Sequence, residues 1–250
     1  MWQKPHLLTA VSDLLFLAGA AALLVAAVVW GTPRLHLFPL SEVQVTHELR
    51  EVQRGELEES LSELLRGNFF TVDIETMRQS LEGLPWVRRA EIWRKWPSRI
   101  EVRIEEHQAV AHWGDGQGQL VNTYGEVFPA SLLREQSLPR LSGPSGSSRE
   151  VLQRYEEFAQ LMKPVGLLPA QLALSPRMAW LVKLQDGMWI ELGREQPKAP
   201  IRMRLQRFVD YYPTLSDARG VRPTAVDMRY PNGFALRFPA SAVQEVKGKK

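Results

Sequence analysis

At 250 residues the chain is long enough for one or two domains, and 44% apolar with 24% charged residues describes a globular protein with a substantial core. Its 31 basic and 28 acidic residues leave a net charge of only +3, and the closing KGKK holds three of those positives. A nucleic-acid binder concentrates its excess, so this balance argues against one, and the absence of cysteine excludes disulfides, thiolate nucleophiles and cysteine-ligated metals.

Leu14 to Trp30, LLFLAGAAALLVAAVVW, runs 17 residues without a charge and without a polar face at any helical phase. As a helix it rises roughly 26 Å, close to the ~30 Å hydrocarbon core once flanking residues are added. Asp13 then stands at one interface and Trp30 at the other, and Gly31, Thr32 and Pro33 end the helix. A cleaved leader ending near Val25-Ala26-Ala27 is the competing reading, but the apolar run continues past that point. The expectation is a single anchor over 13–32, a cytoplasmic tail over 1–12 and an exported remainder.

After a connector at 34–40, SEVQVTHEL (41–49) alternates Val43 and Val45 as a strand does. ELEESLSELL (56–65) repeats Leu57, Leu61, Leu64 and Leu65 at helical spacing, and Gly67-Asn68 breaks it. A second helix follows, with Thr71 or Asp73 as its cap and Ile74, Met77, Leu81 and Leu84 along its buried stripe; Gly83 and Pro85 stop it.

The stretch LPWVRRAEIWRKWPSRIEVRIEE (84–106) crowds three tryptophans among six basic residues. Four glutamates interrupt the basic track, and Ile100, Val102 and Ile104 alternate with charged residues, so the pattern is a β-hairpin turning at Pro97-Ser98. Its tryptophans are expected as packing anchors. The order over residues 41–106 is therefore strand, helix, helix, strand, strand.

Beyond residue 107 the texture is mostly β. AVAHWGDGQGQLVNTYGEVFP reads as short strands parted by glycine turns, and 138–150 as a loop rich in Ser, Gly and Pro. A helix is expected over 149–163. The run 179–193 is a hairpin about Asp186-Gly187, and a further helix from Pro200 ends at Pro213. TAVDMRYPNGFALRFP (224–239) closes as another hairpin, for which Asn232-Gly233 predicts a tight primed turn. The tail 241–250 is expected to be flexible.

No chemistry-bearing constellation emerges. His107 and His112 are five apart, which suits neither a helical nor a strand face for two metal ligands. GDGQG (114–118) lacks the lysine-serine/threonine and the helix start of a phosphate loop. No catalytic, metal-binding or cofactor-binding residues are assigned, and no enzyme activity is expected.

The strand-helix-helix-strand-strand module resembles a POTRA domain, a polypeptide-interaction fold. Together with the anchor, LPWVRRAEIWRKWPSRIEVRIEE, AVAHW, LVNTYGEVF, ELGRE and VDMRYPNGFALRF, it resembles the FtsQ/DivIB family of bacterial cell-division proteins over roughly residues 10–240. Gln108-Ala109 and Asn122 depart from the family's frequent proline and aspartate. The resemblance implies an α+β fold: one transmembrane helix, a POTRA-like β-α-α-β-β domain over 40–107, and a β-rich domain with flanking helices over 108–240. It further implies a non-enzymatic inner-membrane scaffold of the division septum. Partners would be the FtsB–FtsL coiled-coil pair, taken up at the edge of the closing hairpin, and other division proteins through the POTRA domain. On this resemblance the partner-binding residues are Arg229, Tyr230, Asn232, Gly233, Ala235, Arg237 and Phe238, with Arg177 as a salt-bridge donor to an acidic helix. The alternative is a POTRA module of a transport or outer-membrane assembly system, though such proteins carry several POTRA units or a terminal barrel.

Overall fold

The computed structural model describes residues 5–31, 42–46, 48–62, 64–65, 69–116, 118–132, 134, 136–217 and 222–239. The expectations made for residues 1–4, the connector at 34–40 and the tail at 241–250 lie outside the described residues. The chain divides into two compact units, Met1–Glu106 and His107–Lys250.

The first helix, α1 (Pro5–Gly31), has 27 residues, and its side chains described over 12–27 are all exposed. Those sixteen residues rise about 24 Å, and among the described residues no helix is both long and apolar enough to cross a membrane.

The rest of the first unit is a three-stranded sheet in the order β1-β3-β2, covered by two helices. β1 (Glu42–Val45) runs parallel to β3 (Arg99–Glu106), which pairs antiparallel with β2 (Val87–Lys95). α2 (Arg54–Ser62) buries Leu57 and Leu61, while Leu64 and Leu65 fall in a turn beyond it. Asp73 caps α3 (Ile74–Glu82) by accepting from the backbone N–H groups of Glu75 and Thr76 at 3.0 and 3.2 Å. Met77 and Leu81 on its inner face meet the sheet side that buries Ile100, Val102 and Ile104. At the far end of β3, the Glu106 carboxylate accepts from the N–H groups of Arg50, Glu51 and Val52. This ties the entry to α2 onto the sheet. The tryptophans differ from expectation. Trp86 is buried and Trp93 donates its indole N–H to Glu101 at 2.8 Å, but Trp96, at the hairpin tip, is 77% exposed and anchors nothing in the core.

The second unit is a nine-stranded mixed sheet in the order β12-β11-β10-β9-β8-β7-β4-β5-β6. Its strands are β4 (Ala109–Trp113), β5 (Leu120–Asn122), β6 (Val127–Phe128), β7 (Arg140–Ser142), β8 (Pro169–Leu174), β9 (Ala179–Leu184), β10 (Trp189–Arg194), β11 (Ala225–Asp227) and β12 (Ala235–Arg237). α4 (Ser148–Met162), continued by a 3₁₀ turn at Lys163–Val165, packs on β7 and β8, and α5 (Ile201–Asp217) packs on β10 and on α4. Both helices thus cover one face, where Phe158 meets Trp180 edge-on and Leu141, Val182, Ile190, Leu205 and Phe208 are fully buried. GDGQG is the β4–β5 connection, with Gly114 and Gly118 at positive φ as a hairpin turn requires.

Three local expectations are corrected. The loop at 138–150 contains β7, whose single apolar residue Leu141 gives no sequence period; it forms because parallel neighbours on both sides pair with it. α5 passes through Pro213 to Asp217 instead of stopping there. So near the helix end, proline forfeits only the bond to the Val209 carbonyl, and the Thr214 hydroxyl donates to the Tyr211 carbonyl at 2.7 Å in the same turn. Finally, β11 and β12 pair antiparallel as a hairpin, but residues 228–234 connect them and neither Asn232 nor Gly233 has positive φ. A type I′ turn needs positive φ at both central positions and a type II′ turn at the first, so no primed turn forms at Asn232-Gly233.

Candidate functional site

The closing hairpin stands at the border of the large sheet. β12 is its terminal strand: Ala235, Leu236 and Arg237 face Asp227, Val226 and Ala225 of β11, and no described strand lies on the other side. The backbone direction follows from one contact. The Thr224 N–H and hydroxyl both donate to the Arg237 carbonyl, at 2.8 and 3.1 Å, so that carbonyl faces β11. Alternation then turns the N–H groups of Ala235 and Arg237 inward as well, and the N–H and C=O of Leu236 outward to the sheet edge. The side chains alternate too. Ala235 and Arg237 are exposed, while Leu236 packs against the core.

The connection before β12 is held by α5. Arg207 donates to the Pro231 carbonyl at 2.8 Å, and the Tyr211 ring lies against Phe234 with centroids 5.9 Å apart. The two α5 residues were not singled out from sequence. Arg207 and Tyr211 stand four apart on one helical face, and that spacing was the available signal. With the loop so held, Tyr230 is 55% exposed and Asn232 is also exposed, Gly233 is half-buried, and Phe238 is half-buried beyond the strand. Tyr230 is therefore a surface aromatic and not a core residue of the hairpin.

Arg229 behaves differently from its neighbours. Its guanidinium grips Asp227 through Nε–Oδ1 at 2.9 Å and Nη2–Oδ2 at 2.6 Å and reaches Glu191 at 3.5 Å; its backbone N–H donates to Asp227 as well. The hydrogen bond from Arg229 holds the Asp227 carboxyl below its usual range, and the same pair raises the arginine. Arg229 thus fixes the end of β11 within its own chain.

Arg177 is exposed in the turn between β8 and β9. That turn is closed by Met178 N–H to the Ser175 carbonyl at 2.8 Å, and Met178 sits at φ +60, a left-handed conformation rare outside glycine. The register aligns the start of β9 with the end of β10, the end of β11 and the start of β12. Arg177 therefore shares one end of the sheet with the closing loop, but three strand spacings away, about 14 Å. A partner contacting both must cross that end of the sheet.

In the first unit, β1 is also a terminal strand. Between it and α2 lies a groove of about 460 Å³ lined by Val43, Val45, Leu49, Leu57, Leu61 and Leu65. Among the described residues no cluster of histidines and carboxylates could hold a metal ion.

Comparisons with known proteins agree along most of the chain. Residues 38–107 match the family described as the FtsQ-type POTRA domain, and residues 111–229 the one described as the C-terminal part of cell division protein FtsQ/DivIB. The chain is 36% identical over 255 residues to the cell division protein FtsQ of Bordetella pertussis, covering 94% of this chain and 92% of that protein. It is 36% identical to the FtsQ of Burkholderia pseudomallei, with 95% and 94% covered, and 37% identical to that of Nitrosospira multiformis, with 95% and 99% covered.

Proposed function

We propose that this chain, which belongs to the FtsQ/DivIB family of cell division proteins, works without catalysis as a single-pass scaffold of the division machinery. In this reading α1 anchors it in the inner membrane with the short N-terminus in the cytoplasm, and both globular units stand in the periplasm. What supports the anchor is the uncharged run Leu14–Trp30, whose rise of roughly 26 Å approaches the ~30 Å core once flanking residues are counted, together with the exposure of its described side chains.

The observation that carries the scaffold reading is the terminal strand β12. An extended segment of FtsB, with FtsL beside it, adds there as a further strand and bonds to the outward N–H and C=O of Leu236. Ala235 and Arg237 flank those bonds, while Tyr230, Asn232, Gly233 and Phe238 border them and supply specificity. Arg177 receives an acidic helix that continues from the added strand, and Arg229 keeps β11 in place beneath it. Other division proteins use the first unit, where the groove along β1 offers a second edge. The complex so assembled helps control septal peptidoglycan synthesis.

The test is the position of an N-terminal fluorescent fusion in dividing cells depleted of the native copy. A midcell band, with filaments when the protein is absent, is expected. Uniform membrane signal with normal division overturns the proposal.

A further inference from the structure

The N-terminal unit carries an exposed aromatic and basic tip whose position in the chain is informative. Trp96 is 77% exposed at the turn between β2 and β3, with Pro97 exposed beside it and Lys95 and Arg99 on either side. A second aromatic shares this end. Arg94 donates to the carbonyls of Phe69 and Val72 at 2.9 and 2.6 Å, which draws the loop bearing Phe70 up to the hairpin, and Phe70 is 57% exposed. Two carboxylates described at this end are engaged, Glu101 with Lys95 and the Trp93 indole, and Asp73 with the first turn of α3. A large indole has no reason to remain in water at a turn that could hold a polar residue, whereas indole beside lysine and arginine suits a membrane–water interface.

The topology says which end this is. β1 runs parallel to β3 with Glu42 opposite Arg99, so the chain enters the unit beside the Trp96 tip and not beside Glu106, some 23 Å away along β3. Ten residues, 32–41, separate the end of α1 from β1, and they reach at most roughly 35–40 Å when fully extended.

We propose that the tip formed by Trp96, Phe70, Lys95, Arg94 and Arg99 docks on the anionic lipid surface of the membrane that α1 crosses, an inference that rests on the anchor reading above. Trp96 and Phe70 enter the headgroup region and the cations meet lipid phosphates, so the bilayer fixes the tilt of the first unit at two points, α1 and the tip.

The chain has no cysteine, so single-cysteine variants of the full-length protein carry one fluorophore each. Labels at Ser98→Cys, Gln53→Cys and Ala20→Cys are compared in vesicles of phosphatidylethanolamine and phosphatidylglycerol containing nitroxide lipid. Expected are quenching at 98 and 20 with little at 53, and loss of most quenching at 98 when Trp96→Ser is added or phosphatidylglycerol is omitted. Quenching at 20 with 98 no different from 53 overturns the tip contact and leaves the anchor standing. No quenching at 20 removes the anchor, and this inference with it. Quenching at 98 that ignores both Trp96→Ser and the lipid charge overturns the assignment to these residues.

Discussion

Arg204→Met removes one guanidinium from the centre of the C-terminal unit while keeping most of its aliphatic volume. The native side chain is fully buried, and its N–H groups donate to three backbone carbonyls: Ala199 at 3.0 Å, and Leu192 and Arg194 at closer range. The Leu192 and Arg194 carbonyls lie where the β9–β10 register slips between Glu191 and Gly193, with Gly193 at φ +73, and that of Ala199 lies just before α5. Burial pushes the guanidinium pKa down and Glu195 pulls it back, so the charge is held by backbone dipoles and one nearby carboxylate. Glu195 also caps α5 by accepting from the Ile201 N–H at 2.9 Å, so the arginine joins β10 to the start of that helix. Leaving buried acceptors unpaired costs ~1–3 kcal/mol each, partly relieved by water entry, so a total of about 3–5 kcal/mol is expected. For a unit of this size that corresponds to a fall in melting temperature of roughly 10–20 °C. Calorimetry on the whole chain in detergent, with hydrogen exchange to assign the transition, measures it; β10 and the first turn of α5 are expected to lose protection first. Arg202→Met, two residues away on the exposed side, is the control and is expected to change stability by under about 0.5 kcal/mol. A fall of less than about 3 °C for Arg204→Met, with β10 protection intact, refutes the role given to the three carbonyls.

N-methylation of Leu236, introduced by ligating a synthetic C-terminal segment, blocks the outward amide and is expected to weaken binding of the exported FtsB segment at least about tenfold, by lost bond and added bulk, with the fold unchanged. The same modification at Ala235 strikes the inward bond to β11 and is expected to lower stability instead; the reverse pattern in titration calorimetry and melting curves refutes the strand orientation. Arg177→Glu is expected to weaken that binding by roughly five- to tenfold without changing the melting temperature, and unchanged affinity removes Arg177 from the interface. For Asp227 the native pKa lies below its unfolded value, so its contribution is present above about pH 4 and is lost as pH falls through the native pKa. Because Arg229 is more than half exposed, solvent screening limits that contribution to about 0.5–1 kcal/mol. Asp227→Asn is therefore expected to lower the urea midpoint at neutral pH and to match the unmodified chain in strong acid; an equal deficit at both pH values contradicts a charge-based role.

Local pattern was enough for elements that satisfy themselves. Alternation at Ile100, Val102 and Ile104, Leu57 and Leu61 of α2, the Asp73 cap and the Asp186-Gly187 turn all act within a few residues, and each stands where the sequence indicated. The short motifs spread from Leu84 to Phe238 likewise pointed to the family, and the apolar alternation of Val226-Met228 and Phe234-Leu236 about turn residues pointed to the closing hairpin. Tertiary structure decided what depends on neighbours far along the chain. β7 exists because β4 and β8 pair with it, α5 runs through Pro213 at the cost of one helical bond, and a seven-residue connection held by Arg207 and Tyr211 replaces the tight turn at Asn232-Gly233. The edge itself is of that kind. Three residues, Ala235–Arg237, form a terminal strand only after eight others have taken their order, and which amides they turn outward follows from a single contact to Thr224. Period-two patterning carries side-chain alternation but not pairing partners, since a strand's neighbours are set by burial and backbone bonding across the whole sheet.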